Sequence, residues 1–239
     1  VTILTPGINE KGGLVDFGIP APIVSEFLMG KGIVYEKTRF YTMLFLFSVG
    51  VNKSRFVILL ADLIRFKQVF DSEETVDAVF PDLVQSYGKR YGGVTVSELS
   101  KEMHSFLKES KASGILMQAF DHLPRQGIMP NEAYQHIVKG ETEEVFLGDI
   151  LNRTILTMVA PYPPVVMPGE FLDEKYLIIV DCLELSEAFD NQFPRFENEL
   201  HGAEVRLVDG KRRYAVNCDL NQSSVLKKAY AAERIHLCY

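Results

Sequence analysis

The longest apolar run in the chain, Tyr41 to Val51, reads YTMLFLFSVGV. Eleven residues fall far short of the roughly 20 that a helix needs to cross a bilayer. Its aromatic and aliphatic side chains also follow one another with little alternation. A segment apolar on both faces must be covered on both, so the run predicts a strand buried on two sides. The chain can supply that cover: its 239 residues are 47% hydrophobic and 24% charged, the balance of a globular protein with a sizeable core.

The flanking residues predict what surrounds the strand. VTILTPG at the start is a short β-rich run stopped by Pro6 and Gly7. Pro20 suits a helix's first turn, and Ile23, Val24, Phe27 and Leu28 recur at helical spacing until Gly30 and Gly32 end the pattern. Ile33 to Glu36 is too short and β-branched for a helix. Asn52 can cap a further helix, with Phe56, Leu59, Leu60, Leu63 and Phe70 on one face and Lys53, Arg55, Asp62 and Lys67 on the other. The series is strand, helix, strand, strand, helix. Asp71, Ser72, Glu73 and Glu74 then form a polar break, where a domain boundary is expected.

Beyond the break, Thr95 and Glu98 have capping-box spacing ahead of an apolar stripe of Leu99, Met103, Phe106 and Leu107, which predicts a helix to about Glu109. Helices are expected over 115–123, 130–138 and 172–189, and strands over 144–150 and 154–159. Between 160 and 170 the chain is too rich in proline for a helix or a central strand. Asp209-Gly210 predicts a tight hairpin between Val205–Val208 and Arg213–Val216. The last stretch, SSVLKKAYAAERIHLCY, predicts a weakly amphipathic helix from Ser223.

Charge narrows the function. A net charge of −7 and a pI near 5.3 repel phosphate backbones and anionic lipid, so neither nucleic acid nor a membrane is an expected partner. Cys182, Cys218 and Cys238 form no CxxC pair and suit reduced thiols in a cytoplasmic protein. His104, His122, His136, His201 and His236 show no ligand spacing, and no metal is expected. Gly50 to Ser54 resembles the end of a phosphate-binding loop but lacks its glycines, so a helix cap is expected there instead. Without an initiator Met or an apolar leader, the chain is expected to begin inside a longer protein.

Four further segments carry more weight in combination than alone: Gly18-Ile-Pro-Ala21, Gly32-Ile-Val-Tyr-Glu-Lys-Thr38, Leu44-Phe-Leu-Phe-Ser-Val-Gly50 and Phe66-Lys-Gln-Val-Phe-Asp71. Their order and spacing resemble those of the bacterial ornithine, lysine and arginine decarboxylases. Pro161-Tyr-Pro-Pro164, Met167-Pro-Gly-Glu170, Phe193-Pro-Arg-Phe196 and His201-Gly202 are similar to landmarks of that family's C-terminal domain. The resemblance covers about residues 1 to 218. It departs in a shorter connection between Pro164 and Met167, and the tail from about 219 matches nothing in the pattern.

The resemblance implies the C-terminal part of a fold type I, pyridoxal-phosphate-dependent enzyme. Residues 1–73 would finish its α/β small domain and 74–239 would form its α+β C-terminal domain. It implies a lyase that removes the carboxylate of lysine, arginine or ornithine, in polyamine biosynthesis or acid resistance, working as homodimers that assemble into a higher oligomer such as a decamer. In that family the cofactor lysine follows a histidine, and no lysine here does so. The cofactor would thus be bound mainly by the remainder of the decarboxylase chain, and this chain alone would be inactive. Glu36 falls on the glutamate of the G-I-V-x-E-K-T motif, which the resemblance assigns to the substrate's distal cation. The chemistry agrees, since a fixed carboxylate recognises a far positive charge through charge-assisted hydrogen bonds. From the residues alone, Glu36 would be an ordinary solvated side chain, and it is the motif that points to a substrate role. A non-catalytic assembly or regulatory module of the same ancestry, or a truncated product, remains an alternative.

Overall fold

The computed structural model describes residues 1–160, 164–196 and 200–220. Pro161, Tyr162 and Pro163 of the proline landmark and the helix expected from Ser223 lie outside them. The chain forms two compact units. The first is Val1–Ser113 with a segment beginning at Phe193, and the second is Gly114–Gln192 with the described residues from 200 onward.

In the first unit β1 (Thr2–Leu4), β2 (Lys37–Thr38) and β3 (Thr42–Leu44) make an antiparallel sheet in the order β1-β3-β2. Helix α1 (Ala21–Met29) begins on Pro20 and ends at Gly30, as expected, and covers one face with Ile23, Val24, Phe27 and Leu28. The doubly buried strand is corrected. Tyr41, Met43 and Phe45 are buried, Phe45 to 4% exposure, but Leu46 is 65% and Phe47 40% exposed. Successive residues of an extended segment point to opposite faces, which accounts for Leu46 beside Phe45, while Phe47 lies beyond the end of β3. Among the described residues only the α1 side of this sheet has a covering layer, and Leu4 on the other side is also exposed.

Asn52 caps α2 (Lys53–Asp71), its side chain accepting from the Arg55 N–H at 3.1 Å. The buried stripe runs through Leu59, Phe66 and Val69, with Phe66 edge-on to Phe27, whereas Phe56 and Leu60 are exposed. Of the expected face, Leu59 is thus buried while Phe56 touches only the half-exposed ring of Phe47 among the described aromatic contacts, and the buried stripe is phased through Phe66 and Val69 instead.

The polar break at 71–74 is a turn inside the first unit, and the units divide between Ser113 and Gly114 instead. The Glu74 N–H donates to Val69, and a bridge between Thr75 and Thr95 returns the chain onto the same core. Three helices follow: α3 (Val76–Val79), α4 (Pro81–Tyr91) and α5 (Val96–Glu109). Both halves of the expected Thr95–Glu98 capping box are present at the start of α5. Tyr91 is fully buried, its hydroxyl donating to the Pro194 carbonyl at 2.8 Å, and Phe193 packs edge-on to Phe106. The Phe193-Pro-Arg-Phe196 landmark is therefore a plug in the first unit's core.

In the second unit α6 (Ala112–Phe120, starting at the boundary), β4 (Arg125–Gln126) and α7 (Pro130–Lys139) precede β5 (Thr142–Phe146). A 3-10 turn at Leu147–Asp149 ends the expected strand early, and of the next, expected over 154–159, only Thr154 falls in a strand, β6 (Arg153–Thr154). Next, β7 (Glu170–Leu172) pairs with β4 and β6. The helix expected from Leu172 starts at Leu177 as α8 (Leu177–Gln192), because Leu172 completes β7 and Glu174–Tyr176 forms a 3-10 turn. The hairpin holds: β8 (Glu204–Val208) and β9 (Lys211–Asp219) join through Asp209 and Gly210, both at positive φ, and β9 is central in the sheet β5-β9-β8. Buried residues of α8, among them Ile179, Val180 and Leu183, share one core with Val216 of β9, Ile155 and Val166. Gly202 of the second landmark has φ +83°, and a Cβ there would stand 1.6 Å from the Met158 carbonyl oxygen.

Candidate functional site

The candidate site is built on a hairpin. After α1 the chain turns at Gly30 and Gly32, the Ile33 N–H donating back to Leu28. Glu36 opens the hairpin as its N–H donates to the Leu44 carbonyl at 2.8 Å, and the Arg39 N–H donates to Thr42 at 2.8 Å to close it. β2 and β3 pair between these points, Lys37 with Leu44 and Thr38 with Met43. The backbone of Glu36 is thereby fixed while its side chain is exposed, and among the described residues no cation is in ion-pair contact with its carboxylate. Lys37 beside it is half-buried, and burial lowers its pKa.

The turn of this hairpin meets two groups that no spacing rule singled out together. The Tyr41 hydroxyl lies 2.6 Å from His104 Nδ1, and His104 Nε2 lies 2.8 Å from the Val15 carbonyl. A carbonyl only accepts, so in the neutral ring Nε2 carries the proton and Nδ1 accepts from Tyr41. Burial pushes the Tyr41 hydroxyl's pKa up, which keeps it a donor. A Cβ on Gly18 would fall 2.1 Å from His104 Nδ1, which accounts for the glycine of Gly18-Ile-Pro-Ala21. Beside it, Lys108 pairs with Asp16 at 2.7 Å and lowers that carboxyl's pKa. His104 lines a cleft of about 440 Å³ with Phe17, Phe70 and Lys101. The one signal for His104 in the sequence was a polar residue beside the buried stripe Leu99, Met103 and Leu107 of α5.

The other sequence candidates resolve simply. Gly50 to Ser54 leads into the Asn52 cap. Among the described residues no cluster of His, Cys, Asp and Glu could hold a metal, and no helix is long and apolar enough to cross a membrane. Cys182 and Cys218 are buried thiols outside any disulfide, and burial pushes Cys218 up to about 12, so neither is poised as a nucleophile. Cys238 and His236 lie outside the described residues. A pyridoxal-phosphate site does not fit the residues present. Apart from half-buried Lys37 the described lysines are exposed, and no lysine of the chain follows a histidine.

Comparison with known proteins gives the context. The model for "Orn/Lys/Arg decarboxylase, major domain" matches residues 1–55, and that for "Orn/Lys/Arg decarboxylase, C-terminal domain" matches 113–219. The chain is 37% identical to lysine decarboxylase LdcA of Pseudomonas aeruginosa over 221 residues, which is 91% of this chain and 29% of that protein. It is 37% identical over 219 residues to the inducible lysine decarboxylase of Escherichia coli, covering 90% of this chain and 30% of that one. The solved structure of lysine decarboxylase A from Pseudomonas aeruginosa superposes with a TM-score of 0.86 at 37% identity, over 92% of this chain and 30% of the other. The chain thus spans about 30% of the length of these relatives. Two models of one family, met in order along the sequence, and relatives that agree with both make this chain a member of the Orn/Lys/Arg decarboxylase family.

Proposed function

We propose that this chain supplies the distal-cation pocket of a decarboxylase acting on a basic amino acid, and that Glu36 is the carboxylate that receives the substrate's far ammonium or guanidinium. One observation carries the reading: in a chain matched by both models of the family, the glutamate of its G-I-V-x-E-K-T motif stands at the mouth of a hairpin, backbone fixed and carboxylate exposed. A fixed carboxylate costs little to organise and makes strong hydrogen bonds to a cation that it desolvates. Lysine is favoured as the substrate because the relatives described above are named lysine decarboxylases. Pyridoxal phosphate would be held by the rest of the decarboxylase, which would assemble in the cytoplasm as homodimers and then as a higher oligomer such as a decamer.

Steady-state kinetics of Glu36→Gln in the full-length decarboxylase test the reading. Gln keeps size but removes charge, which should cost about 2 to 5 kcal/mol for a desolvated pair, roughly 30-fold to several thousand-fold in kcat/KM. Cofactor content should be unchanged. Wild-type kcat/KM on lysine, arginine and ornithine would remove Glu36 from the site.

A further inference from the structure

We propose that His104 is a positioning residue for the substrate: through the Tyr41 hydroxyl it pins the β2–β3 hairpin at the angle that presents Glu36. The proposal rests on the reading of Glu36 as the distal-cation carboxylate. β2 is two residues long and lies at the edge of its sheet, so it has little pairing of its own to fix its angle. Its turn is instead tied down from outside. The Ala21 N–H donates to the Phe40 carbonyl at 2.7 Å, the Thr5 N–H donates to the Tyr41 carbonyl at 3.0 Å, and the Tyr41 hydroxyl reaches α5 through His104.

The geometry leaves this last tie no slack. The two rings meet edge to face, 5.8 Å between centroids. Each also packs on bare backbone: a Cβ at Gly7 would stand 2.3 Å from the Tyr41 ring, and one at Gly18 would strike the His104 nitrogen that accepts from Tyr41. Neither ring can move toward its glycine, so a side chain that merely filled the space would not restore the bond. The far nitrogen of His104 is bound to Val15, and the helix end is tied by Lys108 to Asp16, so the anchor itself is braced. Three residues of extended chain separate the turn from Glu36, about 10 Å at strand rise. A small rotation at Tyr41 is therefore carried to the carboxylate, and binding of a charged group falls steeply with misplacement on that scale.

Kinetics of the full-length decarboxylase on lysine separate positioning from mere stability. Tyr41→Phe removes the donor and keeps the ring. His104→Gln reaches the Nε2 position, keeping the bond to Val15 and losing that to Tyr41, whereas His104→Asn places its amide oxygen near Nδ1 and keeps the acceptor. Tyr41→Phe and His104→Gln should raise KM about 10-fold with kcat within about 2-fold, as for lost ground-state binding. His104→Asn should stay close to wild type, and Tyr41→Phe should add nothing in a Glu36→Gln background. A KM unchanged in Tyr41→Phe, or equal losses in His104→Gln and His104→Asn, overturns the positioning role while a raised KM in Glu36→Gln leaves the carboxylate's role standing. A wild-type KM in Glu36→Gln removes both.

Discussion

Phe45→Ala and Leu46→Ala, adjacent in sequence, should differ severalfold in their cost to stability. Phe45 is 4% exposed on the face that α1 covers, so its truncation removes most of a buried ring and leaves a cavity, about 3 to 5 kcal/mol. Leu46 points the other way and keeps 65% of its surface in water. Full burial of a leucine is worth about 1.5 to 3 kcal/mol, so the covered third of Leu46 should contribute only about 0.5 to 1 kcal/mol, with no cavity left behind. Urea denaturation of the 239-residue polypeptide, followed by far-ultraviolet circular dichroism, gives both values. Equal slopes for the two variants would show that the midpoints report stability alone. Equal losses of several kcal/mol would mean that both faces of the strand are covered, and the one-sided sheet would be refuted.

Two further outcomes follow from local geometry. Gly202→Ala should be among the most damaging single-methyl changes, since its Cβ would overlap the Met158 carbonyl at a positive φ. A thermal midpoint within a degree of wild type would contradict this. Glu98 accepts hydrogen bonds from the Thr95 N–H and hydroxyl, which hold its pKa below the usual carboxylate value. Because the folded value is the lower one, this stabilisation is complete above the unfolded pKa of about 4.3 and is lost as pH falls through the folded value. Glu98→Gln should therefore flatten the dependence of Tm on pH below about 5, and an unaltered slope would exclude the capping box as its source.

What could be read from the sequence was whatever depends on neighbours a few residues away. The Asn52 cap, the Thr95–Glu98 box, the Pro20 start of α1 and the Asp209-Gly210 turn are set by short-range geometry, and each stands where its residues placed it. Where a distant partner selects the face, pattern alone failed. Phe56 and Leu60 are as apolar as Leu59 and Phe66, and the aromatic contact from Phe27 to Phe66 is what sets the buried stripe. The polar residues 71–74 imitate a linker, yet the bridge from Thr75 to Thr95 keeps the helices after them in the first unit. At the candidate site a motif singled out Glu36. The Tyr41–His104 pair spans 63 residues, and neither residue carries a local sign of the other.

The plug formed by Phe193, Pro194 and Phe196 has a consequence for synthesis. Tyr91 waits for a carbonyl 103 positions later in the chain, and Glu26 for an Arg195 guanidinium 169 positions later. The first unit is emerging from the ribosome long before its last core residues exist, and the whole stretch 114–192 must be translated in between. At about 5 to 20 residues per second, that interval is roughly 4 to 16 seconds, far longer than hydrophobic collapse takes. During it the aromatic cavity around Tyr91 and Phe106 is open to whatever apolar segment is nearest. A nascent chain halted just short of Phe193 should thus be sensitive to protease within its first 113 residues, and one released a few residues later should not.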